Sequence, residues 1–488
     1  MKPLPASMHC QRYESASSRR EFLLRTGLGV GAAAFAHLFN PARAVAAAAG
    51  AAPLPNFPAK AKRVICLFQS GGPSHLELFD PKPLLRERFN QDLPDSVRQG
   101  QRITGMVAGQ ARLALQPSKY EFRQCGKSGA WMSDLLPHMQ QVADDICIVR
   151  SMHTDAINHD PAITFFQTGN QQPGRPSMGA WVDYGLGTMN ENLPSFIVLV
   201  SMASDGKPGQ GLLARLWGNG FLPGRHQGVQ LRSAGDPVLY LADPEGVSRE
   251  QRRAMLDRVA ALNRLHFAVQ GDPEIETRIA QYEMAYRMQA SVPEMMDLHG
   301  ESETTLAMYG DDVKKPGTFA RNCLLARRLA ERGVRFIQLY HRDWDHHGGL
   351  TDRMPKITRD VDQPSAALLA DLKQRGLLED TLVIWGGEFG RTPYAQGEAK
   401  ADNYGRDHHG RAFSLWLAGG GIRAGTTFGA TDEFGFNIAE NPVSIHDLHA
   451  TILQCLGIDH SQLTFRHQGL DFRLTGVEPS QVVKGILA

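Results

Sequence analysis

The chain has 488 residues, 42% hydrophobic and 21% charged, with a net charge of +1. That is a globular balance, long enough for one large domain or two smaller ones. The near-zero charge excludes nucleic-acid binding driven by bulk electrostatics, and no nucleic-acid partner is expected.

The N-terminal segment Ser18-Arg19-Arg20-Glu21-Phe22-Leu23-Leu24 carries a twin arginine ahead of a mildly apolar stretch, Thr26 to Ala36, and the small residues Ala42-Arg43-Ala44. A charged start, a short apolar run and a small-residue end predict an export signal over residues 1–44. The apolar run is shorter than the roughly 20 residues a membrane span needs. The mature chain is expected to lie in the periplasm or outside the cell without a membrane span. Residues 45–60 are rich in Ala and Pro and read as a linker ahead of a main domain, 61–488. Beyond the leader the cysteines are Cys66, Cys125, Cys147, Cys323 and Cys455, widely spaced and without a C-x-x-C pair. Cys66, Cys147 and Cys455 lie in apolar runs and read as packing residues, and one disulfide stays open.

Short apolar runs predict buried strands at Arg63–Gln69, Ile146–Val149, Phe196–Val200, Val334–Tyr340, Thr381–Trp385 and Ala412–Leu417. Helical patterns fall at Ser133–Val142, Thr318–Arg332, Pro364–Arg375 and Ile445–Leu456. The basic pairs Arg252-Arg253 and Arg327-Arg328 read as solvated helix faces. Alternating strands and helices predict an α/β fold with a largely parallel central sheet. Residues 202–317 break the alternation with two long helical patterns, near 248–270 and 272–291, and read as an insertion or cap.

Ligands in open α/β sheets bind beyond the carboxyl ends of the strands. The cluster His341-Arg342-Asp343-Trp344-Asp345-His346-His347 follows the 334–340 strand there, and Arg406-Asp407-His408-His409 precedes the next one. Asp343 and His347 are four apart, a spacing that lets both reach one ion, with His408 or His409 as third ligand. Asp345 and His346 are further candidates in the same cluster. The segment Met152-His153-Thr154-Asp155-Ala156-Ile157-Asn158-His159-Asp160-Pro161 offers His153, Asp155 and His159 as ligands and Thr154 as a metal-activated nucleophile. Asp160 also suits a helix cap. Glu388 sits in a Gly-flanked turn after a strand as ligand, general base or orienter of a histidine, and Arg391 can pair with it or with an anionic substrate. The loop Ser70-Gly71-Gly72-Pro73-Ser74-His75 either presents backbone N–H groups to an anion or is a plain tight turn. There is no G-x-S-x-G elbow, no G-x-G-x-x-G and no H-E-x-x-H.

With these motifs, the chain resembles the bacterial domain-of-unknown-function 1501 family, exported proteins related to sulfatases and alkaline phosphatases. The resemblance spans nearly the whole mature chain. Its carriers are residues 67–75, 150–155 and 174–179, Asp345-His346-His347, Trp385-Gly386-Gly387-Glu388-Phe389-Gly390-Arg391-Thr392 and Gly405-Arg406-Asp407-His408-His409. It implies an alkaline-phosphatase-like α/β/α sandwich and two metal sites. Asp343, His347 and His408 or His409 match the first implied site. At the second, Gln69-Ser70 stands where an Asp is usual, and Glu388-Phe389-Gly390 stands for a D-H-G turn. No C/S-x-P-x-R pattern supports formylglycine chemistry. The expected function is a metal-dependent hydrolase of phosphate or sulfate esters, on small molecules or polysaccharide, using a divalent ion such as zinc, calcium or magnesium. The alternative is a non-catalytic relative that binds glycans or a cell-envelope partner.

Overall fold

A computed structural model of the chain describes residues 54–488 apart from 205–210, 233–235, 239–242 and 244–245. The expected export signal therefore lies outside the described residues.

The central sheet is built from strands β1 (Arg63–Gln69), β2 (Ile146–His153), β3 (Phe196–Ser201), β4 (Val229–Leu231), β5 (Phe336–His341) and β6 (Thr381–Gly386). A hairpin of β7 (Gly390–Ala395) and β8 (Arg406–His409) follows, then β9 (Phe413–Ala418), β10 (Thr426–Phe428) and β11 (Val443–Ser444). The spatial order is β10-β2-β9-β6-β1-β5-β3-β4, with β11 also on β2. β9 runs antiparallel to both of its neighbours, while the other pairings in the sheet are parallel. β1 is buried along its whole length, which is why its sequence is a continuous apolar run rather than an alternation.

Side chains along β1 alternate between two cores. Ile65 and Leu67 join the layer built by α5 (Phe319–Glu331) and α6 (Leu350–Gln374). Val64, Cys66 and Phe68 join the layer of α1 (His159–Thr168), α2 (Met178–Leu186) and α7 (Ile445–Cys455). The chain is thus an α/β/α sandwich. Between β3 and α5, the segment expected as an insertion contributes β4 to the sheet edge and a helical pair, α3 (Arg249–Gln270) and α4 (Pro273–Met296).

Three expectations need correction. Ser133–Val142 is not a helix: Ala130–Ser133 is a strand and Met139–Asp145 a 3₁₀ turn. Pro137 disfavours helical geometry at the preceding residue, and the Asp362 carboxylate takes the N–H groups of His138 and Met139, both at 2.8 Å. The helix expected from Pro364 begins at Leu350 and runs through Pro355 and Pro364, because burial of Met354, Ile357, Val361 and Leu368 outweighs the broken hydrogen bonds. Arg327 and Arg328 are buried rather than solvated, both bonded to Glu301. The described cysteines are all free and buried, so no disulfide forms among them; burial pushes the Cys66 thiol up to about 12. Among the described residues, no helix is long and apolar enough to cross a membrane.

Candidate metal centre

Beyond the carboxyl ends of β1, β5 and β6, four side chains converge: His159, Asp345, His347 and His408, whose donor atoms all lie within 4.8 Å of one another. They come from three separate segments. His159 opens α1, Asp345 and His347 lie in the β5–α6 loop, and His408 is on β8. Asp345 Oδ1 is the centre, 2.8 Å from His347 Nε2, 3.2 Å from His159 Nε2 and 3.5 Å from His408 Nε2.

Glycines let the loops approach this closely. Gly71 has φ +121°, and a Cβ there would fall 2.6 Å from the Asp345 nitrogen. A Cβ on Gly405 would fall 1.9 Å from the His347 carbonyl oxygen, so the β7–β8 hairpin can lie against the ligand loop only with glycine at this position.

Each imidazole is held from behind. His159 Nδ1 faces Glu388 Oε1 at 2.6 Å, His408 Nδ1 faces the Ile157 carbonyl at 2.9 Å, and His347 Nδ1 faces the Gln396 side-chain oxygen. A carbonyl or carboxylate oxygen only accepts, so the Nδ1 atoms carry the protons and the Nε2 lone pairs point inward. His347 Nε2 and His408 Nε2 are then 3.0 Å apart with lone pairs opposed. One proton could bridge two of these atoms, but not three imidazole nitrogens and a carboxylate oxygen together. Outer acceptors on Nδ1 with inward Nε2 donors are the pattern of metal-binding histidines. The residues present therefore fit a divalent ion.

Burial lowers the His159 imidazole, but its contacts with Asp345 and Glu388 leave it above its ordinary value. Burial raises the Asp345 carboxyl, but the His159, His347 and His408 rings beside it and the Arg391 charge hold it far below the usual carboxylate range. Burial lowers His408, aided by the charges of Arg391, His159 and His347.

Several sequence candidates lie elsewhere. Asp343, not Asp345, was the expected partner of His347. Asp343 instead sits at φ 80° and pairs with Arg353 at 2.8 Å. The four-residue spacing would let both reach one ion, but the left-handed backbone at Asp343 turns its carboxylate to Arg353. His346 is buried outside the group of four, and its backbone carbonyl accepts Arg406 N–H at 3.1 Å. His409 is turned to the Phe436 carbonyl at 2.6 Å and lies against that ring; burial holds it near a pKa of about 3. Thr154 is buried, with its hydroxyl accepting Ala156 N–H at 3.3 Å. Asp155 is exposed, and His153 lines a different cavity. Asp160 pairs with Arg215 instead of capping α1.

Glu388 and Arg391 do border the centre. Glu388 is wholly buried and accepts Gly71 N–H at 2.9 Å besides facing His159, which makes it an orienter of that ring. Arg391 bonds Asp345 at 2.7 Å and the carbonyls of Gly71, Gly72 and Arg406. Its donors are committed to the protein, not offered to an anionic substrate. Gln396 is a residue that sequence reasoning missed: it is 49 positions from His347, and no spacing rule connects them.

The second implied site has no counterpart cluster. Gln69 Oε1 and Ser70 Oγ are buried without a hydrogen-bond partner. The Phe389 ring stands against His408 and His159, with centroids at 4.6 and 5.0 Å. Among the described residues, no other group of three or more His, Cys, Asp or Glu converges in this way.

The family model described as a protein of unknown function (DUF1501) matches residues 61–487. No curated protein matches. Similar solved structures include the PsFucS1 sulfatase from Pseudoalteromonas sp., at 13% identity and TM-score 0.32, with 85% of this chain and 70% of that chain covered. A variant of TAB5 alkaline phosphatase is 13% identical with TM-score 0.33, covering 82% of this chain and 98% of that chain. The lipoteichoic acid synthase LtaP from Listeria monocytogenes is 10% identical with TM-score 0.34, covering 89% and 80%.

Proposed function

The chain belongs to the DUF1501 family, and on that premise we propose that it is an exported, metal-dependent hydrolase of phosphate or sulfate esters. The carrying observation is the convergence of three Nε2 lone pairs and one carboxylate oxygen within 4.8 Å. Three imidazoles with one carboxylate suit a borderline ion such as zinc; calcium and magnesium prefer all-oxygen sets. A divalent ion held there supplies Lewis acidity toward an ester oxygen and acidifies water.

The protein's own groups prepare that chemistry. Glu388, the Ile157 carbonyl and Gln396 fix the ring orientations of His159, His408 and His347. Arg391 keeps Asp345 ionised and in place. Phe389 shields one side of His159 and His408 from water. Thr154 is buried with its hydroxyl on Ala156 N–H and Glu388 is engaged by His159 and Gly71, which favours water as the attacking group, on a small-molecule or polysaccharide ester. The twin arginine, Arg19-Arg20, supports action in the periplasm or the exterior.

The test is metal analysis of the purified chain together with hydrolysis of an aryl phosphate and an aryl sulfate. One equivalent of zinc-like metal and measurable turnover are expected, with both lost in Asp345→Asn. Turnover that survives Asp345→Asn would sink the assignment. The Phe389 ring and the lack of a second cluster among the described residues favour one other reading, a metal-bearing but non-catalytic glycan or envelope binder. Stoichiometric metal without turnover of either ester would select it.

A further inference from the structure

Apart from the metal centre, the described residues line an open polar cavity of about 570 Å³, among them His153, Arg411, Gln99, Asn437 and Asp432. Its size falls in the usual small-molecule range of about 300–1,000 Å³. Two of its walls belong to the ligand-bearing segments: Arg411 is three residues beyond His408, and His153 is six before His159. Thr154 N–H bonds the Gly410 carbonyl at 2.8 Å, stapling these segments together.

The charges inside this cavity are unbalanced. Among the described residues, Arg411 makes no ion pair or hydrogen bond through its side chain, and neither does His153. Burial lowers His153, Asp155 and Asp447 raise it, and the Arg411 charge lowers it, leaving it below its ordinary value. The carboxylates nearby are engaged or solvated. Asp432 accepts N–H from Phe434, Phe436 and Asn437 at 3.1, 2.8 and 2.9 Å. Asp447 accepts from Ser444 and Gln481 at 3.0 and 2.7 Å, and Asp155 is exposed. An exposed guanidinium fork without a protein partner, lining the same cavity as an imidazole, matches a tetrahedral oxyanion.

We propose that this cavity is an oxyanion subsite, in which Arg411 and His153 hold a sulfate or phosphate group of a polyanionic ligand next to the metal-bearing segments. Anion binding here does not depend on the hydrolase reading; only the assignment of that group to a second ester of the substrate rests on it.

The experiment follows thermal unfolding of the full chain in sodium sulfate, then in sodium phosphate, against sodium chloride at matched ionic strength. Wild type is compared with Arg411→Ala and Arg411→Lys; Arg411 is exposed and unpartnered, so both variants should fold. Sulfate or phosphate should raise the wild-type Tm by about 2 °C more than that of Arg411→Ala, with Arg411→Lys between them. The anion giving the larger difference names the ester class. Equal shifts in wild type and Arg411→Ala overturn the subsite, because a general salt effect or anion binding at the metal acts on both. Ester turnover is read separately: an Arg411-dependent shift without turnover removes the hydrolase and leaves the subsite, and turnover without that shift does the reverse.

Discussion

At the scale of single residues, the centre is decided by which atoms face inward and what holds them there. Asp345 is in the group and Asp343, two residues earlier, is not, because a left-handed backbone at Asp343 turns its carboxylate to Arg353. Glu388 shows the complementary effect: a carboxylate outside ligand reach still fixes the His159 tautomer through a 2.6 Å contact. Removing such an outer partner typically costs 10–100-fold in metal affinity. Glu388→Gln should therefore weaken metal binding by about 10–100-fold in chelator competition, with the fold retained by circular dichroism. Unchanged affinity would show that the ring is oriented without it. The histidine–aspartate clusters were visible in the sequence, but which members converge was not, since neighbouring positions in a loop can face opposite ways.

At the scale of elements, helix α5 illustrates how pattern reading misjudges charge. Its apolar stripe correctly marks a helix, yet Arg327 and Arg328 bond Glu301, 26 and 27 positions away, where neither pair member is more than 10% exposed. Long separation hides such partners from any local rule. Breaking a buried pair leaves uncompensated charge at a cost of about 3–5 kcal/mol. Glu301→Gln should lose about 3 kcal/mol in urea unfolding at pH 7, and a loss under about 1 kcal/mol would count as a surface-pair effect instead. Burial raises the Glu301 carboxyl, but hydrogen bonds from both arginines bring it below its ordinary value. A carboxylate depressed in the folded chain contributes fully above its unfolded pKa of about 4.3 and loses that contribution as pH falls through the folded value. The wild-type and variant midpoints should accordingly converge on acidification below about pH 4.

At the scale of the molecule, the metal centre ties the start of α1, the β5–α6 loop and the β7–β8 hairpin into one corner of the sheet. An ion that binds the native chain alone stabilises it by about 4 kcal/mol when present at 1,000 times its dissociation constant. For a chain of this size, chelation should lower Tm by roughly 5 °C in calorimetry, and Asp345→Asn should be insensitive to chelator. Identical melting with and without chelator would remove the ion from the native assembly.

The sequence by itself determined the layered α/β plan, because continuous apolar runs and amphipathic stripes encode burial on two faces and on one. It also determined that histidines and carboxylates gather at strand ends, since chain order places them there. Only the tertiary structure decided that His159 joins Asp345, His347 and His408 while Asp343, His346 and His409 do not. Only there is Arg391 seen to serve the protein rather than a ligand, and Phe389 to wall the centre. These choices depend on side-chain direction across segments up to 249 positions apart, from His159 to His408, and local pattern carries no information about such direction.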